Sequence, residues 1–168
     1  MTVRPGGGQV LTIDQADGLA QRAHGDDRNK SGLPFITHVR NVAARLEDDP
    51  DDYAVVAALL HDTVEKSRME FADLRTAGAD DRLIGLVDAL TERTGEPERS
   101  YLARCAADPL ALRIKRADIA DKFDTAQRAD LTSVQRRDLL RRARRRLAIL
   151  ESFASAESPP IAHSRRAT

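Results

Sequence analysis

The chain predicts an all-α fold, a single helical bundle with its polar chemistry lodged between the central helices. Apolar residues recur at helical spacing in one segment after another, as Phe35, Val39, Val42 and Leu46 do. No stretch sustains the strict alternation that marks a half-buried strand. One run, AVVAALL from Ala54 to Leu60, is apolar on every side, which suits a helix surrounded by other helices.

The 168 residues fit one domain, expected over 11–154 between a glycine-containing lead-in at 1–10 and a Pro/Ser/Ala-rich disordered tail at 155–168. Thr12 and Gln15 make a capping-box pattern. They open a helix that carries Ala16, Leu19, Ala20 and Ala23 and stops at His24-Gly25. A polar loop over 26–33 leads to a second helix beginning near Pro34. The third helix is delimited by Asp49 as cap, Pro50 at its first position, and Asp51 and Asp52 complementing the positive end of its dipole. Further amphipathic segments fall at 70–77, 80–92, 98–106, 108–124 and 134–153. In the last of these Leu139, Leu140, Ala143, Leu147 and Leu150 line the inner face, with Arg137, Arg141, Arg144 and Arg145 outside. No aromatic residue interleaves those arginines, so they read as a solvated face and not as an RNA-binding surface.

Lys+Arg and Asp+Glu both total 27, so no net charge draws the molecule to nucleic acid or an anionic membrane; a small anionic substrate needs only a local basic patch. The single cysteine, Cys105, excludes an internal disulfide and a cysteine-rich metal site, and is expected buried in a helix. The first residues lack the apolar core of a signal peptide, and no later stretch approaches the ~18 apolar residues of a membrane span. The chain is expected to be soluble and cytoplasmic, with neither nucleic-acid nor membrane partners.

The apolar run ends in His61-Asp62, followed by Glu65 and Lys66 on what is expected to be the same helix. A polar dyad at the end of an apolar helix is costly to bury unless something compensates it, and a divalent cation suits imidazole plus carboxylate. His38 shares the inward stripe of Phe35 and Val42, and Asp118 that of Ala111 and Ile114. Two imidazoles and two carboxylates from three helices form a mixed N/O set suited to Mn²⁺ or Fe²⁺ with open positions, better than to a closed structural zinc site. Glu65, one turn beyond His61, is placed to activate water. Lys66 lies four residues after Asp62, where an ion pair between them is possible.

Three blocks carry a resemblance. AHGDDRNKSGLPFITHVRNVAARL, AALLHDTVEKS and IKRADIADKFDT resemble, in order and spacing, the HD-type hydrolase domain of the RelA/SpoT enzymes and small alarmone hydrolases, over roughly Ala20 to Leu150. The resemblance implies a single HD-domain bundle and one Mn²⁺ held by His38, His61, Asp62 and Asp118. It also implies removal of pyrophosphate from the 3′ position of ppGpp and pppGpp. Lys30 and Ser31 match that family's basic substrate loop, and Thr125 a position lining its nucleotide pocket. Asn29 stands where arginine is usual, which gives Arg28 that role. Two departures bear on the chemistry. The family's Glu-Asp pair reads Glu65-Lys66, and the asparagine four residues after the last ligand is Lys122. Both cations are expected to face the phosphates, Lys66 as part of the catalytic group. They leave open three readings: alarmone hydrolysis, hydrolysis of another nucleotide such as a nucleoside phosphate or NADPH, and a degenerate nucleotide-binding regulator.

Overall fold

The computed structural model describes residues 11–29, 32–48, 52–128 and 130–156. Among them the chain is helical, with no strand and one isolated bridge between Arg28 and Pro34. The helices in order are α1 (Ile13–His24), α2 (Phe35–Ala44), α3 (Asp52–Leu60), α4 (Thr63–Lys66), α5 (Phe71–Thr76), α6 (Asp81–Leu90), α7 (Glu98–Ala107), α8 (Pro109–Arg128) and α9 (Ser133–Ala156). Lys30, Ser31, Asp49, Pro50 and Asp51, and nearly all of both expected tails, lie outside the described residues. Ser155 and Ala156, expected in the tail, belong instead to the last turn of α9.

The capping box at α1 is formed: Thr12 Oγ1 accepts the Gln15 N–H at 3.2 Å, and Gln15 Oε1 accepts the Thr12 N–H at 2.9 Å. The helix stops at Gly25, whose φ of 47° is a value that favours glycine. Every residue of α3 from Tyr53 to Leu60 is buried, as its all-round apolar character requires. It touches α1, α2, α6 and α8. Tyr53 ties its start to α6, donating at 2.7 Å to Asp80 Oδ1, the same oxygen that accepts the Leu83 N–H at 2.8 Å and caps that helix.

The second half packs α8 against α9, α7 and α2. On α9, Ala143 and Leu150 are buried and Leu139, Leu140 and Leu147 half-buried, while Arg137, Arg141, Arg144 and Arg145 face solvent, as the pattern predicted. Arg104 of α7 closes the end of α6 by donating to the Asp88 and Thr91 carbonyls at 2.6 and 2.8 Å. Helix ends leave such carbonyls without backbone partners. Cys105 is fully buried in α7, as expected.

One expectation is corrected. Glu65 and Lys66 do not continue the helix of His61 and Asp62: α3 ends at Leu60, His61-Asp62 form a turn, and Thr63 opens a separate four-residue helix. The side chains cause the break. His61 Nδ1 donates to the Ala58 carbonyl at 2.7 Å and the Thr63 hydroxyl to the Leu60 carbonyl at 2.7 Å, so both compete for acceptors that a continuing ladder would use.

Leu60, wholly buried where α3 meets this turn, tests the packing. Leu60→Ala is expected to lower unfolding free energy by about 2–5 kcal/mol with an unchanged denaturant m-value. A loss well under 1 kcal/mol in urea titration would show that the end of α3 is not a tightly packed point.

Candidate metal centre and active site

Three elements bring the polar residues together: α2 supplies His38, the α3–α4 turn supplies His61 and Asp62, and α8 supplies Asp118. One ligand atom from each of His38, His61 and Asp118 lies within 4.8 Å of the others, all three residues being buried. Asp62 joins them, its Oδ2 lying 3.3 Å from His61 Nε2 and 3.7 Å from His38 Nε2. His38 Nε2 is 3.2 Å from Asp118 Oδ1. His38, His61 and Asp118 thus come within reach of one another, with Asp62 beside the two imidazoles.

The tautomers follow from the second nitrogens. A carbonyl can only accept, so His61 Nδ1 carries a proton towards Ala58 and, in the neutral ring, Nε2 presents a lone pair to the cluster. That Nε2 is buried and has no hydrogen-bond partner. An unsatisfied buried nitrogen aimed at two carboxylates and a second imidazole fits a bound cation, which would supply the missing partner. His38 Nδ1 is 2.6 Å from Asp121 Oδ2, so its Nε2 is also held towards the cluster. A ligand histidine oriented by a carboxylate is a common outer-shell device in metal sites.

Asp121 was not among the predicted residues, though the pattern held a signal: it lies three residues after Asp118 and so shares its helix face. Lys115 was also missed. It is a buried lysine whose Nζ donates to Asp118 Oδ2 at 2.7 Å and sits 5.0 Å from the centre of the Tyr101 ring. Burial pushes its ammonium towards neutrality, but the Asp118 charge outweighs that and holds its pKa well above the usual lysine value. Lys122 contacts Asp118 through Oδ1, the oxygen that faces His38. Asp118 is thus gripped by two cations.

Glu65 is half-buried on α4, and both of its oxygens are engaged: Oε2 accepts the Glu92 N–H at 2.8 Å, and Oε1 contacts Lys66 Nζ. The Asp62–Lys66 pair considered from the sequence is not formed, because the turn at His61-Asp62 puts Lys66 beside Glu65 instead. The Lys66 side chain remains 46% exposed. Arg28 donates to the Gly32 carbonyl at 2.7 Å and braces its own loop. Thr125 lies partly exposed about two turns along α8 from Asp118. Lys30 and Ser31 fall outside the described residues. Phe35 lies between His24 and His38, its ring centre 4.7 Å from that of His24 in a tilted contact and 5.6 Å from that of His38 in an edge-on one.

No family model matches the chain. It is similar to the guanosine-3′,5′-bis(diphosphate) 3′-pyrophosphohydrolase of Aquifex aeolicus, 30% identical over 122 residues that make up 67% of this chain and 17% of that protein. It is also similar to the GTP pyrophosphokinase of Streptomyces coelicolor, 36% identical over 118 residues, 63% of this chain and 14% of that protein. The chain spans only 14–17% of the length of these curated relatives. A solved structure of a metazoan ortholog of SpoT, described as hydrolysing ppGpp and acting in starvation responses, shares the fold. Its TM-score is 0.70 at 23% identity, covering 90% of each chain. Fold and cluster together define an all-helical HD domain. Within that class, the chain is similar to the corresponding domain of RelA/SpoT-type proteins.

Protonation links the cluster to pH. Burial pushes His38 down, but its hydrogen bonds to Asp118 and Asp121 outweigh this and raise its pKa to about 9. A ligand imidazole must be neutral, so divalent-cation affinity is expected to rise as pH increases towards about 9, because the ion competes with that proton. Asp121→Asn removes one of the groups that favour the imidazolium. It is expected to shift this rise to lower pH and to weaken limiting affinity by about 10–100-fold. Calorimetric titrations with Mn²⁺ across pH 6–9 measure both, and an unchanged profile would remove Asp121 from the site.

Proposed function

We propose that the chain is a divalent-metal-dependent phosphohydrolase that removes the 3′-pyrophosphate from guanosine alarmones of the ppGpp and pppGpp type. The observation that carries this reading is the convergence of His38, His61, Asp62 and Asp118 around the unpartnered His61 Nε2. The names of relatives at 30% and 36% identity point to the substrate class, one as a 3′-pyrophosphohydrolase and one as a pyrophosphokinase. Hydrolysis is favoured of the two because the solved structure that shares this fold is described as hydrolysing ppGpp.

His38, His61, Asp62 and Asp118 would hold the ion. Mn²⁺ is favoured over a closed structural zinc site because the set mixes imidazole nitrogen with carboxylate oxygen. When bound there, a divalent cation supplies charge that stabilises the phosphoryl oxygens and acidifies water. Glu65 orients the attacking water and takes its proton. Its Oε2 is fixed by the Glu92 amide, which leaves Oε1 for this task once Lys66 swings away. Lys66 has the exposure to do so and can follow the charge onto a phosphate. Lys122, Arg28 and Thr125 line the α8 and loop sides of the approach, with Lys30 and Ser31 assigned to substrate from the family pattern alone.

Glu65→Gln is expected to retain metal and lose about 10²–10⁴-fold in pyrophosphate release from ppGpp, since the amide keeps the shape without accepting the proton. Near-normal release would hand the proton to another group. Absence of release by the native chain with Mn²⁺, alongside tight nucleotide binding, would favour the regulator reading.

A second outcome concerns Lys122, whose ammonium lies on the metal-facing oxygen of Asp118. Lys122→Asn is expected to raise Mn²⁺ affinity on the order of tenfold, because a unit charge about 4 Å away is worth ~1–4 kcal/mol at a partly wet site. Titration showing equal or weaker affinity would mean that the lysine does not oppose the ion.

A further inference from the structure

We propose that the cleft between the end of α1 and α4 is a second anion subsite that holds the 5′-diphosphate end of the nucleotide while the 3′ end reaches the metal cluster. This rests on the reading of the site as a nucleotide phosphohydrolase. The cleft has a volume of about 680 Å³ and its wall includes Arg22, Glu65, Lys66 and Arg68. That is within the ~300–1,000 Å³ range of small-molecule sites. Glu65 lies on this wall and on the short helix that follows Asp62, so a molecule in the cleft lies beside the turn that carries His61 and Asp62.

Two arginines line this concave wall, whereas the solvent-facing arginines of α9 stand on an open helix face. Elsewhere Arg40, Arg75, Arg104, Arg116 and Arg146 each hold a carboxylate. Arg22 and Arg68 are exposed and make no hydrogen bond or ion pair among the described residues. Two guanidinium forks with free donors at a concave surface suit the oxygens of a diphosphate, which accepts bidentate contacts. The acids on the same wall offer little competition. Asp73 accepts the Glu70 N–H at 2.8 Å as part of the α5 cap, and Glu65 is engaged by Lys66 and the Glu92 amide. Asp27 remains, a single carboxylate against two guanidinium groups.

Position supports an assignment to the opposite end of the substrate. Lys122 lies on the α8 side of the cluster and does not line the cleft, whereas Arg22 and Arg68 lie on the α1 and α4 side. The cationic side chains therefore flank Glu65 and the cluster from two directions, an arrangement matched by a nucleotide phosphorylated at both ends and wasted on one phosphorylated at a single end. Lys66, also on the cleft wall, bridges the two regions.

The test is calorimetric binding of GDP, which carries only the 5′-diphosphate, to the full chain with Mn²⁺ and again after chelation. Guanosine serves as the control without phosphate. Arg22→Gln/Arg68→Gln is expected to weaken GDP binding at least tenfold in both conditions, leave the melting temperature within a few degrees of native, and leave guanosine unaffected. Lys122→Gln should change GDP binding less than threefold after chelation. Charge reversal at one position, Arg68→Glu, should reproduce the loss. Native-like GDP affinity in the double variant, equal affinity for GDP and guanosine, or no GDP binding by the native chain would each overturn the subsite. Pyrophosphate release from ppGpp is scored separately. Its absence with the GDP pattern intact would defeat the hydrolase reading and leave the subsite standing, and its presence with no effect of the arginines would do the reverse.

Discussion

Everything at the centre of this molecule depends on the burial of α3. A helix that is apolar on all sides gains from being enclosed on all sides, so α1, α2, α6 and α8 close around it. The residues that follow inherit that depth. His61 and Asp62 arrive buried because the chain leaves α3 inside the bundle, and polar groups at that depth need partners. Their partners come from helices that the same packing brings into reach. The contact of α2 with α3 presents His38, and the contacts of α8 with α2 and α3 present Asp118 and Asp121. Hydrophobic enclosure thus assembles the polar site.

Charge then has to be balanced in a region with little water. Asp62, Asp118 and Asp121 are buried together, and the basic groups that answer them are Lys115, Lys122 and His38, whose pKa its hydrogen bonds to Asp118 and Asp121 raise to about 9. Three carboxylates thus face three basic groups, which is how buried charge survives. A divalent cation can enter such a set only by displacing positive charge. The His38 proton and the Lys122 ammonium are the removable pieces, because Lys115 is locked between Asp118 and the Tyr101 ring. Binding of a divalent cation here would therefore be coupled to release of the His38 proton and to movement of Lys122.

Much of this arrangement was legible in the sequence, and what was not has a physical reason. The apolar period located the helices, and four polar residues on inward faces gave His38, His61, Asp62 and Asp118, which the fold brings together. Faces are a property of spacing. The break after Leu60 is not: it comes from His61 and Thr63 taking carbonyls that the helix would otherwise use, a competition that periodicity does not register. That turn also decides that Lys66 meets Glu65 and not Asp62. Lys115 escaped notice because a lysine within an inward pattern reads as an exception until the carboxylate it serves is known. Asp121 was in plain view one turn beyond Asp118, and its role emerges only when α2 is laid beside α8.

The two lysines that depart from the RelA/SpoT pattern share a physical character. Lys66 contacts the carboxylate assigned to water activation, and Lys122 contacts a carboxylate assigned to the ion. In the absence of substrate each quiets the acid it touches. A diphosphate carries more negative charge than either carboxylate alone, so under the proposed reading it would compete for both ammonium groups and free the acids on binding. Lys66 is the more easily drawn away, being exposed on a flexible stem, whereas Lys122 is two-thirds buried on α8. Under the proposed hydrolase reading, a site built this way would make water activation depend on occupancy by an anion, which gives the two lysines a purpose within that reading.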